Sequence, residues 1–107
     1  MTSDRFGLMQ AHWELLRILL LQPISEAGGR IWIFGSRARG DYRLFSDLDV
    51  LIEGPVTPDL IASIGEQLEE SDLPIRVDLV SAANLADAYK AGVLKERVEI
   101  SLDLPVA

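Results

Sequence analysis

The sequence predicts one domain in which helices and strands share a core, of the α/β or α+β class, and three observations predict it. Runs with strand-like alternation are interleaved with runs of helical period, in the order helix, strand, turn-helix, strand, helix, strand, helices. The chain has 107 residues, enough for one core and too few for two. No internal repeat, low-complexity linker or shift in composition divides it, so residues 1–107 read as a single domain.

The first element spans Leu8 to Gln22, where Leu8, Trp13, Leu15, Leu16, Ile18, Leu19, Leu20 and Leu21 form an unusually broad apolar stripe that Pro23 ends. Core packing accounts for such a stripe, and a partner interface is the sharper alternative. His12, the only histidine, reads as a surface or packing residue rather than a ligand. Gly28-Gly29 breaks the chain, and the β-branched and aromatic run Arg30–Phe34 is a strand stopped by Gly35.

A short turn and helix, Ser36 to Gly40, leads into a polar loop through Phe45 and then a second strand ending at Glu53, before Gly54-Pro55. Thr57 or Asp59 can cap a helix over Pro58 to Glu70, with Leu60, Ile61, Ile64 and Leu68 on one face. After Pro74, Ile75, Val77 and Leu79 alternate with Arg76, Asp78 and Val80 as a third strand. Residues 82–97 predict two short helices broken at Gly92, and the tail VEISLDLPVA predicts a final short strand.

Composition narrows the chemistry. The net charge of −7, with no run of Lys or Arg, argues against nucleic-acid binding through a basic surface. Arg37, Arg39 and Arg43 still make one loop locally basic, enough to attract a small polyanion such as a nucleoside triphosphate. The absence of cysteine excludes a disulfide framework, a thiolate metal site and a cysteine nucleophile, which makes the reduced cytoplasm the default location. The first 23 residues lack the basic start and cleavage site of a signal peptide, and their apolar run is too short to span a bilayer.

The chemistry sits in the second and third strands. In Ser46-Asp47-Leu48-Asp49-Val50-Leu51-Ile52 the two carboxylates share one strand face, a repulsive arrangement that a cation between them would relieve. Asp78 adds a third carboxylate on a strand face, and with neither histidine nor cysteine alongside, all-oxygen ligation suits Mg²⁺ or Mn²⁺. Two such ions roughly 3.5–4 Å apart can clamp a phosphoryl group. At Gly35-Ser36 a glycine after a strand lets the backbone approach an anion, and Ser36 offers a hydroxyl at the cap position.

Taken together, Gly35-Ser36-Arg37-Ala38-Arg39-Gly40 followed by Ser46-Asp47-Leu48-Asp49-Val50 resembles the signature of the DNA polymerase β-like nucleotidyltransferases, and more closely that of the minimal nucleotidyltransferases (MNT domains). Val50 stands where that pattern has Leu, a conservative departure. The resemblance is strong over Ile33 to Ile52 and weaker over Ile75 to Val80. It implies an α+β palm, a small mixed β-sheet flanked by helices. It also implies that Asp47 and Asp49 bind the metals holding the triphosphate, that Asp78 completes the second metal site, and that Gly35 and Ser36 hold phosphate.

Arg37 and Arg39 are candidate nucleotide ligands, although Arg39 could instead brace the loop by pairing with Asp41 or Asp47. Tyr42 and Phe45 could stack on a base or fill the underside of the loop, and Glu53 lies beyond the acidic cluster. The implied activity is transfer of AMP from ATP to a tyrosine hydroxyl of a HEPN-type RNase toxin, with this chain as antitoxin in a hetero-oligomer. Two alternatives remain at this level: a binding antitoxin that neutralises its partner by contact, and an enzyme modifying a small molecule such as an antibiotic.

Overall fold

A computed structural model of the protein describes residues 5–101. Its first helical stretch passes through Pro23 instead of ending there: α1 (Gln10–Leu16) continues as a π-helical turn (Arg17–Leu21) and then as α2 (Gln22–Glu26). A proline inside a helix lacks an N–H and presses on the carbonyl four residues back. The wider turn just before it, in which the Gln22 N–H bonds the Arg17 carbonyl, loosens the ladder where that strain would fall. Leu8, Trp13, Leu16, Leu20 and Ile24 are buried, while Ile18 is 62% exposed, so the core claims a narrower stripe than the sequence suggests. His12 Nδ1 accepts the Met9 N–H at 3.2 Å and closes the first turn of α1.

Two further helices precede the last part of the sheet. α3 (Ser36–Arg39) is a single turn, and α4 (Pro58–Glu69) starts at Thr57, whose hydroxyl accepts the Leu60 N–H at 3.2 Å. The final helix, α5 (Asp87–Glu96), runs unbroken through Gly92, contrary to the predicted break. A glycine costs a helix interior about 1 kcal/mol, which the flanking turns absorb. None of the described helices is long and apolar enough to cross a membrane.

The strands β1 (Arg30–Phe34), β2 (Leu48–Glu53), β3 (Val77–Ser81) and β4 (Val98–Ile100) form a mixed sheet in the order β3-β2-β1-β4. β1 is antiparallel to β2 and to β4, and β2 is parallel to β3, a pairing made possible by the crossover through α4. β4 fulfils the start of the predicted final strand; residues 102–107 lie outside the described residues.

Register sorts the side chains onto two faces. Ile31 pairs with Ile52 and Ile100, Ile33 with Val50, Leu48 with Val77, and Val50 with Leu79. These residues make the core with the first helical stretch and with Ile64 and Leu68 of α4. The opposite face carries Trp32, Phe34, Asp49, Leu51 and Asp78, and on that side the sheet meets α5 across a cleft.

Candidate active site

The strand registers draw the acidic residues together. Phe34 lies opposite Asp49 in the antiparallel pair and Asp49 opposite Asp78 in the parallel pair, so all three side chains stand in one row on the face away from the core. Asp47, just ahead of β2 and two residues before Asp49, adds its charge from the same side. Asp49 is half-buried while Asp47 and Asp78 are exposed. Burial pushes the Asp49 carboxyl above the usual carboxylate range, the charges of Asp78, Asp47 and Glu96 push it the same way, and the Arg39 guanidinium opposes them only in part.

Such uncompensated negative charge is what a divalent cation relieves, and the donor set is the all-oxygen kind that Mg²⁺ or Mn²⁺ takes. Among the described residues no group of three or more carboxylates or imidazoles already stands at ligating separations. One or two carboxylates with phosphate and water suffice for Mg²⁺, so Asp49 with Asp47 or Asp78 could hold an ion without a third protein ligand.

Gly35 faces Asp49 directly. Its φ of 76° and ψ of −156° belong to a region that side chains avoid, and a Cβ at this position would collide with Asp49 Oδ2. Gly35, not Ser36, holds the cap position of α3: its carbonyl accepts the Ala38 and Arg39 N–H groups, at 3.1 and 3.0 Å. Ser36 is the first residue of the turn and is half-buried.

The two arginines have opposite placements. Arg37 is 3% exposed and donates to three backbone carbonyls, those of Phe6 at 2.8 Å, Leu44 at 3.1 Å and Ser46 at 3.0 and 3.1 Å. Its guanidinium also lies 4.9 Å from the centre of the Tyr42 ring. Arg37 thus holds the loop between Gly40 and Asp47 in place and does not line the cleft. Arg39 is exposed, lines the cleft, and pairs with Asp41 at 3.3 Å and with Glu96 at 3.2 Å.

The cleft has a volume of about 470 Å³. Phe34, Gly35, Arg39, Asp49, Asp78 and Val80 line its sheet side, and Leu85, Ala88, Tyr89, Gly92, Val93 and Glu96 line the side of α5. Of the sequence-predicted residues, Gly35, Arg39, Asp49 and Asp78 meet there; Ser36 and Asp47 flank them in sequence. Tyr42 fills the underside of the loop, and Phe45 is 72% exposed. Glu53 is engaged elsewhere, accepting from Trp32 Nε1 at 2.7 Å and from Arg97 at 2.9 Å.

Glu96 is the cleft residue that sequence reasoning missed. It accepts the Gly35 N–H at 3.2 Å and the Arg39 guanidinium, although it lies near the end of a helical run with no motif around it. Only the packing of α5 across the sheet could have revealed it.

The chain is similar to known proteins over most of its length. A family model described as "Nucleotidyltransferase domain" matches residues 15–102. The chain is 38% identical over 88 residues to a Haemophilus influenzae protein named "Probable protein adenylyltransferase MntA", covering 80% of this chain and 75% of that one. It is 37% identical over 71 residues to "Protein adenylyltransferase MntA" of Thermococcus cleftensis, covering 65% and 72%. A solved structure assigned as a minimal nucleotidyltransferase superposes with a TM-score of 0.67 at 31% identity, over 87% of this chain and 97% of that one. A toxin-antitoxin crystal structure with AMP-PNP shares the fold, with a TM-score of 0.60 at 17% identity over 78% and 70%.

Proposed function

The chain belongs to the nucleotidyltransferase domain family and is a nucleotidyltransferase, and on that premise we propose that it moves AMP from ATP to a tyrosine hydroxyl of a cognate HEPN-type RNase toxin. It then acts as that toxin's antitoxin, in a cytoplasmic hetero-oligomer. The observation that carries the reading is the Asp49–Asp78 register pair, set against the Gly35 backbone in one cleft. The protein adenylyltransferase name of the Haemophilus influenzae relative supports a protein acceptor.

On this reading Asp47 and Asp49 would hold Mg²⁺ or Mn²⁺ with the triphosphate, and Asp78 would complete a second ion site. Bound cations would neutralise the triphosphate and make the α-phosphorus more electrophilic. The Gly35 N–H, the Ser36 hydroxyl and the Arg39 guanidinium hold phosphate oxygens and fix the chain for in-line attack. Asp78, exposed in the cleft, takes the proton of the acceptor hydroxyl as the new P–O bond forms and pyrophosphate leaves. On this reading Arg37 serves the chemistry by holding the loop that carries Asp47, through its bonds to the Leu44 and Ser46 carbonyls, rather than by binding the nucleotide itself.

The test is intact-mass spectrometry of the protein co-expressed with the product of its neighbouring gene and incubated with ATP and Mg²⁺, beside the Asp47→Asn, Asp49→Asn double variant. One or more AMP additions on the partner, absent with the variant, is the expected result. A stable complex with no adduct on either chain would favour neutralisation by contact, to which the exposed Leu44 and Phe45 beside the site are suited.

A further inference from the structure

Glu96 stands on the α5 wall of the cleft, and both of its polar contacts cross to the other wall. Its Oε1 accepts the Gly35 N–H at 3.2 Å, and its Oε2 accepts Arg39 Nη1 at 3.2 Å, with Oε1 a second acceptor at 3.4 Å. The neighbouring cleft residues on α5, among them Ala88, Gly92 and Val93, offer no charge. One carboxylate therefore occupies two donors that a phosphate group would use, and does so with the charge and the paired oxygens of an anion.

We propose that Glu96 is a built-in competitor for the anion-binding donors of Gly35 and Arg39, and so a specificity-determining residue that admits polyphosphate and turns away single phosphate groups. The inference rests on the nucleotidyltransfer reading of the cleft. A tethered group competes at a millimolar effective concentration or above, so a free ligand must offer more than the carboxylate does to replace it. A monophosphate offers these donors little beyond what Glu96 supplies. A triphosphate brings further oxygens, which reach the cation side of the cleft at Asp47, Asp49 and Asp78.

The remaining contacts suit displacement. Arg39 also bonds Asp41 at 3.3 Å, through its Nε and apart from the Nη1 that meets Glu96, a contact that would hold the guanidinium oriented for the incoming phosphate. Gly92, one turn before Glu96, has open space where a Cβ would stand, which leaves room on that wall for the carboxylate to move aside. Specificity arises because the occupant is removed only by a ligand that engages both walls at once.

Calorimetric titration of inorganic tripolyphosphate and of AMP, each with Mg²⁺, into the parent, Glu96→Gln and Glu96→Ala proteins tests this. Glu96→Gln retains an acceptor for the Gly35 N–H and thus the local fold, and circular dichroism checks both variants. The expected result is tripolyphosphate binding about tenfold tighter in both variants and AMP binding gaining by a larger factor, whereas equal gains for the two ligands overturn the specificity role. Parent-like or weaker tripolyphosphate binding in folded Glu96→Gln overturns the inference alone, since Glu96 would then be supporting Arg39. Failure of parent and variants alike to bind millimolar tripolyphosphate overturns the inference together with the nucleotidyltransfer reading.

Discussion

Asp49 and Asp78 are register partners in the parallel β2–β3 pair, and the charge on Asp78 adds to burial in raising the Asp49 carboxyl. A carboxyl whose pKa is higher in the folded chain than in the unfolded one is a charge that folding disfavours. Its contribution to stability is most favourable at low pH and is lost as pH rises through the unfolded and then the folded value. Asp49→Asn should therefore melt at or above the parent temperature at pH 7, with the difference closing near pH 4. Nucleotide transfer by the same variant should fall about a thousandfold. Calorimetry at the two pH values and a transfer assay check both halves, and a variant that melts lower at pH 7 than at pH 4 relative to the parent would contradict the sign.

The two arginines of α3 should separate by phenotype. Arg37→Lys removes a planar fork that reaches three carbonyls and leaves buried acceptors unmet, so it should cost about 2–4 kcal/mol and expose residues 41–47 to proteolysis. Arg39→Ala removes an exposed ion pair and should change stability by less than about 1 kcal/mol, while raising KM for ATP roughly tenfold. Urea titration and initial rates on both variants check this, and the reverse pattern would return Arg37 to the role of nucleotide ligand.

Gly35→Ala combines two penalties in one substitution: a positive φ and a Cβ set against Asp49 Oδ2. A loss of about 2–4 kcal/mol is expected, with activity lost as the carboxylate is pushed aside. Gly92→Ala, where a Cβ meets nothing, should instead stabilise α5 by up to about 1 kcal/mol. Comparing the two variants by thermal melting isolates the contact from the generic effect of losing a glycine.

Glu53 should show the opposite pH behaviour to Asp49. The hydrogen bond from Arg97 holds its carboxyl below the usual range, the Trp32 indole N–H adds to this, and burial opposes both. Its stabilising contribution is present above the ordinary carboxylate value and is lost as pH falls through the folded value. Glu53→Gln should thus be about 0.5–1 kcal/mol less stable than the parent at pH 7, with the difference shrinking as pH falls below the ordinary carboxylate value, measured by urea titration.

What the sequence discloses here follows the range of the forces involved. The alternation of Ile75, Val77 and Leu79 with Asp78, and of Leu48, Val50 and Ile52 with Asp49, is a local period, so the strands and the acidic face could be read directly. That Asp49 stands opposite Asp78 depends on register between strands, which no local pattern fixes. Arg37 and Arg39 are chemically alike and two residues apart. Their roles part because the carbonyls of Phe6, Leu44 and Ser46 converge on one of them, and that convergence is tertiary. Glu96 reaches Gly35 across 61 residues, and Pro23 reads as a helix end because the π turn that accommodates it leaves no mark in composition.

The bond from Arg37 to the Phe6 carbonyl has a practical side. It ties the first described turn of the chain to the segment that presents Asp47, so whatever is fused ahead of that turn is mechanically joined to that segment. A fusion at the amino end is thus expected to perturb the segment that presents Asp47, although it lies far along the chain from Asp47, Asp49 and Asp78.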